Sequence, residues 1–167
     1  FDRTIYILPI PTDKKDNIEK GFRVLEDWAH NVTYLNDDID NERPIILEES
    51  RLGKGADERL FKKILPEYLK GSLYAERLPI GKDSIIKTFK HETIKRFYKD
   101  WYRPNLMAVI VVGDITVPEA EAMIKKHFSG LSNPAGAPER KYAAVPPYAA
   151  SNAMVLTDKE ATTYDAV

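Results

Sequence analysis

Hydrophobic residues recur along this chain at two spacings, one typical of α-helices and one typical of β-strands. Two short runs rich in β-branched residues predict strands over residues 4–10 and 106–112. Apolar positions at helical spacing predict helices, which we place at residues 13–30, 39–52, 57–70, 71–77, 91–102 and 118–128. The pattern therefore predicts a domain that contains both helices and strands.

The clearest local signals lie between residues 97 and 118. Pro104 lacks a backbone N–H and disfavours a helical Arg103, so it ends the preceding helix. Thr116 occupies the position expected of an N-cap, and Pro118 falls in the first turn of the next helix. Both faces of the strand at 106–112 are apolar, so we expect both to be at least partly covered.

Composition excludes several classes of function. The 167 residues are 43% hydrophobic and 31% charged, with a net charge of −1 and no basic face that would bind nucleic acid. No apolar run approaches the roughly 18 residues that span a bilayer. The absence of cysteine excludes disulfides and zinc sites built from thiolates.

The two ends of the chain and one internal segment indicate how it is organised. Residues 132–151 are rich in proline and lack periodicity, which is typical of a linker. The sequence opens on a predicted strand, and residues 154–167 read as a strand, a polar turn and the start of another strand. We therefore expect the chain to be a fragment of a longer protein.

The three histidines do not form a metal site by themselves. His91 and Glu92 match the start of an HExxH motif, but Lys95 stands where the second histidine is required. His30 and His127 each fall near the end of a predicted helix, where an imidazolium suits the helix dipole. A catalytic zinc site needs about three protein ligands, so we interpret all three histidines as structural.

Two glutamates in the second predicted helix share one face. Glu42 and Glu49 are seven residues apart, which is two helical turns, with Ile45 and Ile46 between them. Carboxylates on a partly apolar face need a cation if they are buried. Periodicity alone favours two ordinary solvated glutamates, since most helix glutamates are exposed.

Residues 97–116, FYKDWYRPNLMAVIVVGDIT, resemble a segment of the M16 metallopeptidases, the relatives of pitrilysin, insulinase and mitochondrial processing peptidase. The run ERPIILEE at residues 42–49 also resembles the M16 pattern E-R-x-x-[IV]-[IL]-x-E, whose last glutamate binds zinc. This resemblance assigns Glu49 to the metal and Glu42 to a supporting position behind it. A shift of one residue would assign Glu48 instead, and Pro44 departs from the pattern unless the helix starts near Asn41.

The resemblance implies an α+β fold, part of an M16/LuxS-type metallohydrolase domain with helices packed on a mostly antiparallel sheet. Residues 1–131 would be the C-terminal portion of that domain, 132–151 a linker, and 152–167 the start of a second M16-like domain. The zinc-binding HxxEH motif would lie upstream. No catalytic residue is therefore expected in this chain, and zinc is expected in the parent protein but not in the fragment.

By the same resemblance, the parent is a zinc-dependent endopeptidase acting on peptides and small unfolded proteins. Its partners would be a peptide substrate and the rest of the polypeptide or a homologous M16 subunit, in the bacterial periplasm or cytoplasm. One alternative is a non-catalytic M16 homologue that serves as a structural or substrate-binding subunit. Another is an unrelated α+β binding module, which the ordered set of matches disfavours.

Overall fold

The computed structural model describes residues 1–161, and these residues form six α-helices with shorter helical turns between them. A π-helical turn, Asp27–Asn31, continues the first helix, and 3₁₀ turns occur at Leu73–Glu76 and Pro104–Leu106. The α-helices are α1 (Lys15–Glu26), α2 (Asn36–Leu52), α3 (Ala56–Tyr68), α4 (Asp83–Thr88), α5 (His91–Trp101) and α6 (Val117–Phe128).

The chain divides into two compact units. The first unit comprises Phe1–Thr4, Asp37–Phe89 and Arg140–Val167, and it contains almost all of α2 together with α3 and α4. The second unit comprises Ile5–Asn36 and Lys90–Glu139, and it contains α1, α5 and α6. None of the helices within residues 1–161 is both long and apolar enough to cross a membrane.

The predicted α+β fold class, with helices on an antiparallel sheet, is wrong. The part of the chain that the structure describes is helical and contains no β-strand. Residues 4–10 and 106–112 have strand-like sequences, but a strand exists only where a neighbouring backbone completes the ladder of hydrogen bonds. No such ladder joins these segments to other described residues. The first of the two strands expected within residues 154–167 likewise does not form among the described residues. The start of the second falls on residues 162–167, outside the described residues.

The segment at 106–112 is covered on one side only. Met107, Val109 and Val111 are partly covered, whereas the residues between them are exposed. Ile110 is 82% exposed and Val112 is 92% exposed, so the expectation that both faces would be covered is wrong. The alternation itself has the period of two that the sequence predicts.

In the second unit, α1 and α6 are joined by a buried histidine. The His127 side chain is 7% exposed, with Nδ1 2.6 Å from Oε2 of Glu26 and Nε2 3.2 Å from Oε1 of Glu19. Its ring stacks on Phe22 at a centroid distance of 5.9 Å. Lys126 donates to the same Glu19 carboxylate at 2.5 Å. A polar cluster and one buried aromatic ring thus hold the two helices together.

The close packing of α1 also depends on a glycine. A Cβ atom built on Gly21 would lie 2.6 Å from Cδ1 of Ile10. Such a distance is far inside van der Waals contact, so a larger residue here would require the end of the Ile10 side chain to shift. Gly21 and the adjacent Phe22 are both buried.

Helix α5 is held by Tyr98, its one buried residue. The Tyr98 hydroxyl donates to the Trp28 carbonyl at 2.9 Å and accepts from the Val32 amide at 3.4 Å. Burial raises the pKa of this hydroxyl. Phe97, the preceding residue in the helix, is 56% exposed.

Helix α6 begins as the sequence predicts. Thr116 is the N-cap, its hydroxyl accepts from the Glu119 amide, and the Glu119 carboxylate accepts from the Thr116 amide, which completes a capping box. The bonds from Thr116 lower the pKa of Glu119. Pro118 lies in the first turn, where its missing N–H costs nothing.

In the first unit, the segment after residue 140 is tied to α3. Arg59 donates to both oxygens of Asp158, from Nε at 2.8 Å and from Nη2 at 2.6 Å, and Nη2 also contacts Glu160. The Arg59 guanidinium holds the pKa of Asp158 well below its usual range. The Tyr148 hydroxyl donates to the carbonyl of Glu67 at 2.5 Å. Tyr148 of the predicted linker and Asp158 beyond it therefore both contact α3.

We expect His127→Leu to lower the free energy of unfolding by about 1–3 kcal/mol, because it leaves two carboxylates without their buried partner. Chemical denaturation of this chain would measure the change. Lys125→Gln is the matched control, since its pair with Glu121 lies on the exposed face of the same helix and contributes at most about 1 kcal/mol. Equal midpoints for His127→Leu and the control would show that the cluster does not stabilise the unit.

The lowered pKa of Glu19 predicts that its contribution to the free energy of unfolding depends on pH. Lys126, and to a smaller extent His127, lower the pKa of Glu19. A lowered folded-state pKa contributes stability above the ordinary glutamate pKa of about 4.3, and that stability is lost as pH falls through the folded-state pKa. The difference in unfolding midpoint between the wild type and Glu19→Gln should therefore shrink below about pH 4. A difference that stays constant from neutral to acidic pH would contradict this assignment.

Candidate functional site

Helix α2 carries the two glutamates singled out in the sequence. Glu42 and Glu49 lie two turns apart on one face, and both are exposed. The helix begins at Asn36, earlier than the starts expected at Ile39 or Asn41, so Pro44 lies inside it rather than in its first turn. The spacing thus brings the two glutamates together, although the helix is longer than expected.

The neighbouring Glu48 has a different environment from Glu49. Arg51 donates to both oxygens of Glu48, from Nε at 2.8 Å and from Nη2 at 2.7 Å, and this lowers the pKa of Glu48. The Glu49 carboxylate forms no hydrogen bond or ion pair with another described residue, whereas the Glu49 backbone carbonyl accepts from the Gly53 amide. Of the two adjacent carboxylates, Glu49 is therefore the one that is free to bind a ligand.

Arg43 fixes the first half of α2 to the end of α4. Its Nη1 donates to the Ile86 carbonyl at 2.5 Å, and its Nη2 donates to the Phe89 carbonyl at 2.7 Å. The guanidinium carbon lies 3.8 Å from the centroid of the Phe89 ring, and Nε contacts Asp40 at 2.9 Å. No local sequence pattern indicates the two carbonyl contacts of Arg43, because Ile86 and Phe89 lie more than 40 residues away.

A second polar contact fixes the other half of α2. Ser50 is buried, and its hydroxyl donates to Oδ1 of Asp83 at 2.7 Å. Lys54, just beyond the helix, contacts Oδ2 of Asp83 at 2.8 Å. Lys54 first and then Ser50 lower the pKa of Asp83. Asp83 is the first residue of α4, so α4 is held at both of its ends.

The structure shows the surroundings of the three histidines that the sequence offers as metal ligands. His91 is the first residue of α5, and Lys95 contacts Glu92 and Asn36 rather than completing an HExxH site. His30 lies 3.0 Å from the Glu26 carbonyl. Both ring nitrogens of His127 contact carboxylates, those of Glu19 and Glu26. Within residues 1–161 no group of three or more His, Cys, Asp or Glu side chains could hold a metal ion.

The family model described as the Peptidase M16 inactive domain matches residues 88–164. The probable zinc protease PqqL of Haemophilus influenzae is 36% identical over 129 residues, covering 77% of this chain and 14% of the relative. The probable zinc protease PqqL of Escherichia coli is 32% identical over 163 residues, covering 96% of this chain and 17% of the relative. The chain belongs to the M16 peptidase family.

A solved structure extends this similarity to the fold. The crystal structure of the first half of the periplasmic protease PqqL from Escherichia coli matches with a TM-score of 0.73 and 33% identity. The match covers 81% of this chain and 28% of that chain. The chain thus spans well under a fifth of the length of the two zinc proteases described above.

The carboxylates of Glu42 and Glu49 on α2 are of a type that binds zinc, but they are too few to form a complete zinc site. Carboxylate oxygen is a normal zinc ligand, and Glu49 is exposed and unengaged among the described residues. Glu42 lies on the same face and provides a second negative charge. One free carboxylate beside another fits part of a site whose remaining ligands come from elsewhere.

We expect this 167-residue chain alone to bind zinc no more tightly than an exposed carboxylate pair, because a catalytic site requires about three protein ligands. Isothermal titration calorimetry with zinc would measure the affinity. A stoichiometric site of micromolar affinity or tighter would contradict the expectation. Loss of such binding in His91→Ala, but not in His30→Ala, would then identify His91 as a ligand.

Proposed function

We propose that this chain is part of a zinc-dependent M16 endopeptidase that degrades or processes peptides and small unfolded proteins. The observation that carries the proposal is the pair of carboxylates on α2, in a chain 32–36% identical to two probable zinc proteases. Glu49 would bind zinc, and Glu42 would support the site without contacting the metal. The chain contains no catalytic residue of its own and is inactive alone.

The chemistry of the proposed site divides between this chain and the rest of the protein. A catalytic zinc ion acts as a Lewis acid that polarises the peptide carbonyl and acidifies water. The chain contributes negative charge to that centre through Glu49. The chain also orients the Glu49 carboxylate, because Arg43 and Ser50 fix α2 at both ends. The remaining ligands and the general base would come from upstream of residue 1.

The domain division remains part of the proposal. Residues 1–131 would complete an M16 peptidase-like domain, 132–151 would be the linker, and 152–167 would begin a second M16-like domain. The bond from Tyr148 to Glu67 supports a linker that is fixed to the domain surface rather than a free one. The partners would then be a peptide substrate and the rest of the same polypeptide or a homologous subunit.

A second candidate function is favoured by the description of the matching family model as an inactive domain. In that case the protein is a non-catalytic M16 homologue with a structural or substrate-binding role. The two candidates differ in the full-length protein. An enzyme cleaves peptides in a reaction that chelators abolish, whereas a non-catalytic homologue binds peptides without cleaving them.

In the full-length protein, Glu49→Gln should abolish or severely reduce peptide cleavage while the fold is retained. A neutral amide is a weaker zinc donor than a carboxylate, and it also changes the net charge of the centre. Glu42→Gln should cost less, about 10–100-fold, because it acts through another ligand. Cleavage of a peptide mixture, with and without chelator, would measure these effects.

Glu48→Gln is the matched control, since Glu48 is adjacent in sequence but engaged by Arg51. It should cleave at the wild-type rate. Chelator-sensitive cleavage that survives Glu49→Gln and fails in Glu48→Gln would transfer the ligand role to Glu48. Chelator-sensitive cleavage unaffected by either change would remove the site from α2.

A further inference from the structure

Helix α2 is held against α4 by polar contacts at both ends. Arg43, in the first half of α2, contacts the C-terminal end of α4, and Ser50 and Lys54 contact its N-terminal residue Asp83. The two helices therefore run antiparallel. Two separated contacts fix the rotation of a helix about its axis, which a single contact would leave variable.

The contacts with α4 occupy one side of α2 and leave the glutamates on another. Successive residues turn by 100°, so Ile39, Arg43 and Ser50 lie within about 40° of one another. Ile39 and Ser50 are buried, and the Arg43 side chain is only 14% exposed. By the same geometry, Glu42 and Glu49 lie about a quarter turn away from this side. The rotation of α2 that Arg43 sets therefore also sets where the two carboxylates point.

We propose that Arg43 is a positioning residue. By fixing the rotation of α2 about its own axis, Arg43 sets the direction in which the side chains of Glu49 and Glu42 point. This inference rests on the proposed function, in which Glu49 binds zinc. A helix with side chains has a radius of about 5–6 Å, so a rotation of about 20° moves a side-chain atom by about 2 Å. Ligand distances in a metal site tolerate about 0.2 Å. Small losses of helix orientation therefore weaken a metal site before they unfold the helix.

The chemistry of arginine suits this role. Its planar guanidinium reaches two carbonyls at once, and its face stacks on Phe89 at the same time. Lysine offers one charged nitrogen and no planar face, so it can replace a single bond but not the whole arrangement. A single side chain thus joins two carbonyls and an aromatic ring to α2.

The test uses Arg43→Gln and Arg43→Lys in the full-length protein. Zinc affinity, measured by competition with a chromogenic chelator, should fall about 10–100-fold in Arg43→Gln, as for other residues that orient a metal ligand. Arg43→Lys should fall between Arg43→Gln and the wild type. Saturating zinc should restore much of the lost peptide cleavage, with KM unchanged, which would not occur if the variant were merely misfolded.

Arg51→Gln is the matched control, because Arg51 lies on the same helix and pairs with the exposed Glu48. Its zinc affinity should stay within twofold of the wild type. Hydrogen exchange should quicken at α4 and Phe89 in Arg43→Gln but not in Arg51→Gln.

Three results would overturn the inference. Unchanged exchange at α4 in Arg43→Gln would show that Arg43 does not fix the two helices. Faster exchange with unchanged zinc affinity would reduce Arg43 to a purely structural residue, while leaving the proposed function intact. A wild-type protein that binds no zinc would instead defeat the proposed function, and the positioning role with it.

Discussion

The contact between Arg43 and the end of α4 is the constraint on which the first unit depends. Helix α4 has six residues, far fewer than an isolated helix needs to be stable in water. It persists because Arg43 binds the carbonyls at its C-terminal end, where the helix dipole also favours a cation. Asp83 accepts from Ser50 at the other end. The same contacts hold α2, so one polar arrangement determines the geometry of both helices.

Features set by local sequence could be predicted, and features set by distant residues could not. The Thr116 cap and the start of α6 were predicted correctly, since their bonds join residues three positions apart. The 106–112 strand was not, because a strand requires a second backbone that the local sequence does not specify. Helix α4 was missed for a related reason. Its apolar pattern is too short to signal a helix, and its stability comes from α2.

The candidate site also combines features that the local sequence predicts with features that depend on distant residues. The shared face of Glu42 and Glu49 follows from their spacing alone, since the helix repeat is local. The roles of Arg43 and Ser50 depend on partners 33 to 46 residues away, which no local pattern identifies. The difference in environment between Glu48 and Glu49 is also visible only in the structure. Only the bonds from Arg51 to Glu48 show which of two adjacent carboxylates is already engaged.

The exposed side of α2 places a charge requirement on whatever covers it. Glu42 and Glu49 share this side with Ile45, which is 58% exposed, and Leu52, which is 71% exposed. Burying the two apolar side chains favours contact with another surface. Burying the carboxylates beside them opposes it, because an unpaired charge loses its hydration. Contact is therefore favourable only if the covering surface also brings positive charge.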